Sequence, residues 1–297
     1  MDKRSAALRR FAMSITLATV LGHTILGFEQ AYLTPIVGVL TGLVAEAAFE
    51  WIDAAAHRRP PRYAGLSRGQ LIDFFLPAYI GGLACAMLLY GNAHLMPTVL
   101  AVLIAVGSKY VIRVRGKHVL NPSNFGIVCV LLLFPWVGIA PPYQFTEWLS
   151  GPFDALVPLV LLTLGTMLNA KLTGKMPLIL AWVGVFAAQA LLRGAVTDVS
   201  AISALLPMTG TAFVLYTNYM ITDPGTTPFT RRGQIAFGAS TALVYGLLVQ
   251  FHVVFGLFFA LVIVCAGRGV LLAVQGRGKA GAVEASPSAA PQPAMTS

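Results

Sequence analysis

The sequence has few charged residues: Asp, Glu, Lys and Arg together make up only 10% of the 297 residues. Hydrophobic residues make up 57%, and the mean hydropathy is +0.77. Soluble globular domains carry about 25% charged residues, so this composition excludes a soluble protein. Long apolar segments with almost no charge are typical of a chain that crosses a membrane several times.

Cysteine is also scarce. Cys85, Cys129 and Cys265 lie singly within apolar segments, and no Cys-x-x-Cys pair is present. His23 and His252 are isolated in the same way and lack the paired spacing of metal ligands. We therefore predict neither a metal site nor a disulfide bond, and we interpret the cysteines as small buried residues.

Ten apolar segments follow one another along the chain, each close to the roughly 20 residues that a membrane-spanning helix needs. They are residues 11–28, 31–52, 71–90, 97–113, 125–140, 154–170, 177–192, 206–222, 234–250 and 252–270. We predict an all-α polytopic membrane protein with ten transmembrane helices. Residues 1–275 form one transmembrane domain, and residues 276–297, rich in Ala, Pro, Ser and Gly, form a disordered tail.

The positions of the cations predict the orientation of these helices. With the N-terminus inside, the inner loops hold every lysine and arginine except Arg193, as the positive-inside rule requires. Both termini are then cytoplasmic, and the chain is a multi-pass protein of the bacterial inner (plasma) membrane, in contact with the lipid bilayer. The net charge of +9 reflects this topology, so no nucleic acid is expected as a partner. An odd number of helices in each half predicts a five-plus-five inverted repeat.

One polar stretch is typical of an anion-binding helix start. Lys117 and His118 precede Asn121, a good helix N-cap, and Pro122, which suits the first helical position. The N-terminus of a helix with cations beside it attracts anions such as phosphate.

A second stretch, Thr222–Pro228, repeats the arrangement. Its Pro-Gly pair turns the chain, and Thr227 followed by Pro228 is predicted to start the next helix before Arg231 and Arg232.

Ionisable residues within the spans form a third group. Glu46, Glu50 and Asp53 have the spacing of one helix face, and Lys109 and Arg113 lie at the inner end of the fourth span. Ionisable side chains in a membrane usually face the protein interior. They predict either a structural charge cluster or, through Glu46 and Lys109, a candidate ion pathway.

The two loops resemble the NqrB/RnfD/RnfE family of flavin-bearing membrane subunits, and among them the UnbU-type proteins of enediyne biosynthesis. The matching residues are Ser108 to Tyr110, Asn121 to Gly126, Met220 to Pro224, Thr227-Pro228 and Arg232-Gly233. The resemblance covers about residues 65 to 270. It implies ten helices, electron transport and redox partner subunits.

One position departs from this family. Its flavin-carrying members attach FMN to the Thr of Ser-Gly-Ala-Thr, and the equivalent stretch here is Thr173-Gly174-Lys175-Met176. The acceptor position falls on Met176, whose thioether cannot form a phosphoester. Covalent FMN is therefore not expected.

The resemblance leaves a non-covalent FMN or riboflavin as the expected cofactor. Lys117, His118 and the start of the fifth helix would hold the phosphate, Asn124, Thr226 and Thr227 would bind ring or ribityl oxygens, and Asp223 would accept from ribityl hydroxyls. The full set of predicted cofactor-binding residues is Lys117, His118, Asn121, Ser123, Asn124, Thr173, Thr222, Asp223, Thr226 and Thr227. The alternative interpretation is that these residues only cap helices.

Two functions remain open. The first is a membrane subunit of an electron-transport system, without a complete catalytic site of its own and therefore with no catalytic residue assigned. The second is a cofactor-free transporter or channel-like protein for a small molecule or ion. Met176 favours the second, and the two polar loops favour the first.

Overall fold

The computed structural model describes residues 3–92, 94–141 and 144–284. Its elements are mostly helical, with four two-residue strands. They are α1 (Lys3–Thr24), α2 (Leu33–Ala56), α3 (Arg68–Leu88), β1 (Leu89–Tyr90), α4 (Met96–Val111), β2 (Arg113–Val114), β3 (Lys117–His118), α5 (Pro122–Leu133), β4 (Gly138–Ile139), α6 (Pro152–Leu168), α7 (Met176–Val196), α8 (Ala201–Leu205), α9 (Thr211–Leu215), α10 (Arg231–Gln250) and α11 (Gly256–Glu284). A π-helical turn follows α6 (Asn169–Thr173) and another follows α9 (Tyr216–Met220).

The surface of the bundle is apolar, and many polar side chains are inside. Large hydrophobic residues such as Leu40, Val44 and Leu180 are more than half exposed, whereas Glu50 and Asn124 are fully buried. Within the described residues, five helices are long and apolar enough to cross a membrane, and α4 and α5 are shorter apolar helices. This distribution is the one expected of a helical protein surrounded by lipid.

Small residues let neighbouring helices approach closely. A Cβ atom at Gly42 would lie 2.6 Å from the carbonyl oxygen of Ala78, and one at Gly38 would lie 2.7 Å from that of Gly82. Gly126 of α5 likewise leaves no room for a Cβ beside the carbonyl oxygen of Ala101 in α4. Close backbone approach through small residues replaces the hydrophobic effect as the source of helix association in lipid.

The helix contacts repeat along the chain. In the first half, α1 packs on α3, α2 packs on α3 and α4, and α4 packs on α5. In the second half, α6 packs on α9, α7 packs on α8 and α10, and α10 packs on α11. The two halves are in contact through α5, which also packs on α11.

Aromatic side chains fill the core of the second half. Trp182 and Phe186 of α7 are fully buried, and both contact the ring of Phe213 in α9. The indole Nε1 of Trp182 donates to the hydroxyl of Thr217 at 2.9 Å, so its polar atom is satisfied inside the core. Tyr245 of α10 stacks on Phe186 and ties α10 to the same cluster.

The predicted eighth span, residues 206–222, is not one continuous helix. The structure divides this region into α8, a 3₁₀ turn over Leu206–Thr209, α9 and the second π turn. Pro207 cannot donate to the preceding turn, and Gly210 adopts an extended conformation that separates α9 from the 3₁₀ turn. The break therefore follows from two residues within the predicted span.

Two further boundaries differ from the prediction. Helix α5 ends at Leu133 instead of residue 140, because Phe134 precedes Pro135 and a residue before proline is disfavoured in helical conformation. Helix α11 extends to Glu284, so the first nine residues of the predicted tail are helical in the structure. The remainder of that tail, residues 285–297, lies outside the described residues.

Short strands close the two ends of the bundle. Strand β1 pairs antiparallel with β4, and β2 pairs antiparallel with β3 in a hairpin between α4 and α5. The hairpin turn uses Arg115 and Gly116, both with positive φ. We call the end that carries this hairpin the cationic end, since the loops 57–67, 112–121, 169–175 and 221–230 lie there.

Candidate functional site

The loop before α5 and the loop that contains Thr222–Pro228 are joined directly. Asn121 Nδ2 donates to the carbonyl oxygen of Met220 at 3.0 Å. Its Oδ1 accepts from the backbone N–H of Asn124 at 3.1 Å, so Asn121 caps α5 as predicted. His118 lies beside Gly225, where a Cβ would lie 2.6 Å from the imidazole Nε2. Gly225 is therefore needed for the close approach of the two loops.

The loop before α7 joins these two loops through Lys175. This residue is 1% exposed, and its ammonium donates to the carbonyl oxygen of Pro228 at 2.9 Å. The ammonium also lies 5.0 Å from the centre of the Phe229 ring, and Lys117 lies 6.0 Å from the same ring on the β2–β3 hairpin. Within the described residues Lys175 forms no ion pair, so one backbone carbonyl and one ring face are its partners.

Burial has an electrostatic consequence for Lys175. Removal from water lowers the pKa of its ammonium to about 8, the carboxylate of Asp223 opposes this change, and the guanidinium of Arg268 adds to it. Arg268 itself donates to the carbonyl oxygen of Thr226 at 2.7 Å. Lys117, Lys175 and Arg268 thus face this loop together with a single carboxylate, that of Asp223. We call these four residues and Phe229 the cationic cluster.

Asp223 organises the loop by hydrogen bonds within it. Its Oδ1 accepts from the N–H of Gly225 at 3.3 Å, and its Oδ2 accepts from the Thr226 hydroxyl at 2.9 Å. Its backbone oxygen accepts from the Thr227 hydroxyl at 2.7 Å. Such side-chain to backbone bonds stabilise a turn without a ligand.

The three side chains predicted to bind flavin oxygens lie inside the protein. Asn124, Thr226 and Thr227 are at most 1% exposed. Asn124 Nδ2 donates to the carbonyl oxygen of Phe258 at 3.0 Å, inside the contact between α5 and α11. The two threonine hydroxyls bond Asp223 as described above. In this structure the three side chains bond the Thr222–Pro228 loop and α11.

The other predicted site residues lie around the two π turns or at the helix cap. The Thr173 hydroxyl donates to Asn169 Oδ1 at 2.8 Å, and the Thr222 hydroxyl donates to the carbonyl oxygen of Asn218 at 2.7 Å. Asn169 Nδ2 reaches that same carbonyl at 2.8 Å, so the two π turns are bonded to each other. The Ser123 hydroxyl donates to Asn121 Oδ1 at 3.1 Å.

The predicted start of the ninth helix is wrong by three residues. Helix α10 begins at Arg231, and its N-cap is Thr230, whose hydroxyl oxygen accepts from the N–H of Gly233 at 3.2 Å. The Thr227 hydroxyl instead donates to the backbone oxygen of Asp223, within the loop that precedes α10. Arg231 therefore begins the helix, and its side chain is exposed.

The acidic residues of α2 form a compensated charge cluster. Glu46 pairs with Lys109 and accepts from the hydroxyl of Tyr110 at 2.8 Å. Glu50, fully buried, pairs with Arg59 at 2.6 Å and with Arg62 at 2.5 Å.

Arg59 also pairs with Asp53, so the three acids do share one face. Arg113 takes no part in these ion pairs; it donates to the carbonyl oxygen of Lys109 and lies over the Tyr110 ring. A cluster with this degree of pairing favours the structural interpretation over an ion pathway.

Sequence reasoning missed Lys175, Arg268 and Phe229 as site residues. Lys175 and Arg268 were counted only as inner-side cations, although Lys175 directly precedes the Met176 position that the family resemblance singles out. Phe229 is 75% exposed and follows the Thr222–Pro228 stretch. An exposed aromatic residue beside a predicted anion site was a usable signal for it.

Comparison of the chain with models of known protein families found no match, and comparison with curated proteins found none.

Proposed function

We propose that this protein is a membrane subunit of an electron-transport system of the Nqr/Rnf kind, holding a flavin without a covalent bond at the cationic cluster. The residues of the two polar loops resemble those of the UnbU-type proteins most, which favours a role beside a biosynthetic pathway. The observation that carries the proposal is the position of Lys175. A buried ammonium with one carbonyl partner, between Lys117 and Arg268, is an arrangement that a phosphate would complete.

The proposal includes ten crossings with both termini in the cytoplasm. Contacting helices run in the directions that an alternating path requires. Arg9 contacts Asp73 and Thr16 contacts Tyr79, so α1 and α3 are parallel. Gly238 lies against Leu178 and Gly246 against Gln189 in the same sense, so α7 and α10 are also parallel.

An inverted repeat of five plus five helices is part of the same proposal. The support is the recurrence of helix contacts: α2 on α4 corresponds to α7 on α10, and α4 on α5 corresponds to α10 on α11. The eighth segment, made of α8, α9 and their turns, takes the place that α3 has in the first half. An odd number of helices per half gives the two halves opposite orientations.

The cluster fits the phosphate end of a flavin better than its ring. Three cations against one carboxylate leave excess positive charge, which a phosphate would balance. The Phe229 ring lies 5.0 Å from the Lys175 ammonium and is itself exposed, so a phosphate bound to this ammonium would displace the ring. A bound flavin supplies one- and two-electron chemistry, while the residues named here bind and orient its phosphate.

A cofactor-free transporter is the second candidate. It is favoured by Met176 and by the internal hydrogen bonds of Thr226, Thr227 and Asp223, which complete the loop without a ligand. In that case the cationic cluster serves only to join three loops.

The test is the flavin content of protein purified from bacterial membranes in mild detergent. We expect wild type to show a flavin absorption spectrum and Lys175→Gln to bind FMN about tenfold to a hundredfold more weakly, the effect of losing one charge-assisted hydrogen bond. Lys171→Gln is the matched control, because Lys171 is an exposed lysine of the same loop. Wild-type protein without flavin that also fails to bind added FMN would favour the transporter.

A further inference from the structure

The bundle has a cavity at the end opposite the cationic cluster. Its volume is about 270 Å³, and it lies where the C-terminal ends of α7 and α10 meet the broken eighth segment. The residues lining it that carry the argument are Arg193, Ser203, Ala204, Tyr245, Gln250 and His252. Since a water molecule occupies about 30 Å³, the cavity has room for a ligand of roughly ten non-hydrogen atoms.

Arg193 in this cavity is the one cation that the charge asymmetry does not explain. All other lysines and arginines fall on the inner side of the predicted topology. A lone cation on the outer side of a membrane protein disfavours insertion in the predicted orientation, so we expect a feature of the structure to account for its position. Its place in the wall of a cavity supplies one.

The guanidinium of Arg193 is held in position by one hydrogen bond, and its other donors are not used in the part of the chain that the structure describes. Its Nε donates to Gln189 Oε1 at 3.0 Å. Gln189 is buried and is itself fixed, because its Nε2 donates to the carbonyl oxygen of Phe186 at 3.0 Å and Gly246 leaves space for its amide. Within the described residues, neither terminal nitrogen of Arg193 has a hydrogen-bond partner. Two parallel donors remain for an acceptor in the cavity.

The rest of the wall suits the apolar or aromatic part of a small organic molecule. Tyr245 is mostly buried and is held by stacking on Phe186, with ring centres 5.0 Å apart. It presents an aromatic surface that does not need to be ordered on binding. Val249 and Pro207 add apolar surface, and Gln250 and His252 add polar groups. A pocket that is partly apolar with a few converging polar groups is typical of small-molecule sites.

We infer that this cavity binds a small organic acid, with its carboxylate on the terminal nitrogens of Arg193 and its body against Tyr245. A planar guanidinium with two free parallel donors matches a carboxylate in a bidentate manner. The irregular backbone of the eighth segment forms one wall, and irregular backbone in a membrane protein is tolerated where it lines a cavity. This inference does not depend on the flavin at the other end of the bundle.

The experiment uses benzoate as the probe and benzamide as its neutral counterpart. The full-length protein is placed in nanodiscs of phosphatidylcholine, and binding is followed by saturation-transfer NMR against empty nanodiscs. We expect benzoate to bind at least tenfold more tightly than benzamide. Arg193→Gln should lower the affinity for benzoate by about tenfold or more. The affinity of Arg193→Lys should lie between those of wild type and Arg193→Gln, because lysine keeps the charge but loses the second donor. Arg58→Gln, at an exposed cation outside the cavity, should bind as wild type does.

A second variant does not touch the cation. Ser203→Phe fills the mouth of the cavity and should abolish benzoate binding, while Ile202→Phe, at a neighbouring exposed residue outside the wall, should not. Equal binding of benzoate and benzamide would overturn the inference, as would unchanged binding in both Arg193→Gln and Ser203→Phe. If sulfate, or nanodiscs of phosphatidylglycerol, displaced benzoate completely, the site would recognise inorganic anions or lipid headgroups, and the inference would also be wrong. Flavin content should be the same in all these variants.

Discussion

Lys175 and Pro228 are joined by a 2.9 Å hydrogen bond from the ammonium of the first to the carbonyl oxygen of the second. This bond connects the start of α7 to the loop before α10, although the residues are 53 positions apart. It places a basic group with a lowered pKa at the centre of three loops. The proposed phosphate site can be tested through this group.

The first prediction concerns the pH dependence of flavin binding. A phosphate needs the protonated form of Lys175, whose pKa in the free site is about 8. Affinity for FMN should therefore be nearly constant from about pH 7 to pH 8, where the FMN phosphate is already a dianion, and fall by up to about tenfold per pH unit above pH 8, until it reaches the affinity of Lys175→Gln. Lys175→Arg should remove this fall, since an arginine stays protonated. The measurement is a fluorescence titration with FMN at several pH values.

Asp223→Asn provides the matched comparison for this titration. The asparagine keeps an acceptor for Gly225 but removes the carboxylate that opposes the lowering of the Lys175 pKa. The decline in affinity should then start at a lower pH than in wild type. An identical pH profile in wild type, Lys175→Arg and Asp223→Asn would show that Lys175 does not bind the phosphate.

A second prediction concerns the stability of the protein without a ligand. The pKa of Lys175 falls from an ordinary value of 10.5 to about 8 on folding. Between these values the unfolded chain binds the proton and the folded chain does not, so the free energy of unfolding should rise with pH from about 8 to about 10.5. Lys175→Met should lack this contribution. The quantity to measure is the difference between wild type and variant in thermal unfolding across this range, and a constant difference would contradict the prediction.

The third prediction concerns cofactor attachment. Met176 offers no hydroxyl for a phosphoester, so flavin bound to the wild-type protein should be released on denaturation. Gels of denatured protein should show no flavin fluorescence at the position of the chain. A fluorescent band that survives denaturation would require a different acceptor, and Thr173 would be the first residue to replace.

The fourth prediction concerns the charge cluster of α2. Glu50→Gln removes the carboxylate shared by Arg59 and Arg62 and should cost roughly 2 kcal/mol. That value is below the 3 to 5 kcal/mol of a fully buried pair, because both arginines remain partly in water. Glu147→Gln, at an exposed acid, should change stability by less than about 0.5 kcal/mol. Denaturant titration in mixed micelles provides the comparison. A Glu50→Gln variant of normal stability that has lost an ion flux would favour a pathway instead.

The fifth prediction concerns topology. In a background without native cysteines, Ser150→Cys should react with an impermeant thiol reagent added outside intact cells, and Ala64→Cys should not. Ala64 is an exposed turn residue and is preferred to Ser67, which belongs to the capping box of α3. Labelling of both positions from the same side would rule out the ten-crossing path.

Local signals in the sequence were sufficient for some parts of this structure. The Asn121-Pro122 cap of α5 was predictable because a cap depends on residues within one turn. The shared face of Glu46, Glu50 and Asp53 was predictable from helical spacing alone. The charge asymmetry placed the polar loops on one side of the predicted topology, which is compatible with their contact at the cationic end.

Other parts depend on residues distant in the chain. Burial of Lys175 requires the loop that contains Pro228 and Phe229, and no pattern near Lys175 indicates it. The start of α10 was misplaced because Thr227 and Thr230 are equally good caps by residue type. The choice between them depends on the folded loop, in which Thr227 lies within the turn at Asp223 and Thr230 directly precedes the helix. The inward direction of Asn124 likewise depends on α11.

The short helix α5 is synthesised long before the residues that accept hydrogen bonds from its two asparagines. Asn121 and Asn124 enter the membrane region with buried amides whose partners, Met220 and Phe258, are 99 and 134 residues later in the chain. At the usual rate of synthesis, about 5 to 20 residues per second, the ribosome needs roughly 5 to 20 s to make the first of these partners. Through that interval the Nδ2 groups of both asparagines lack these acceptors, and water at the membrane surface is the alternative partner. We therefore expect the final insertion of α5, only twelve residues long, to wait for the second half of the protein, and a chain arrested before Met220 should leave α5 accessible to protease.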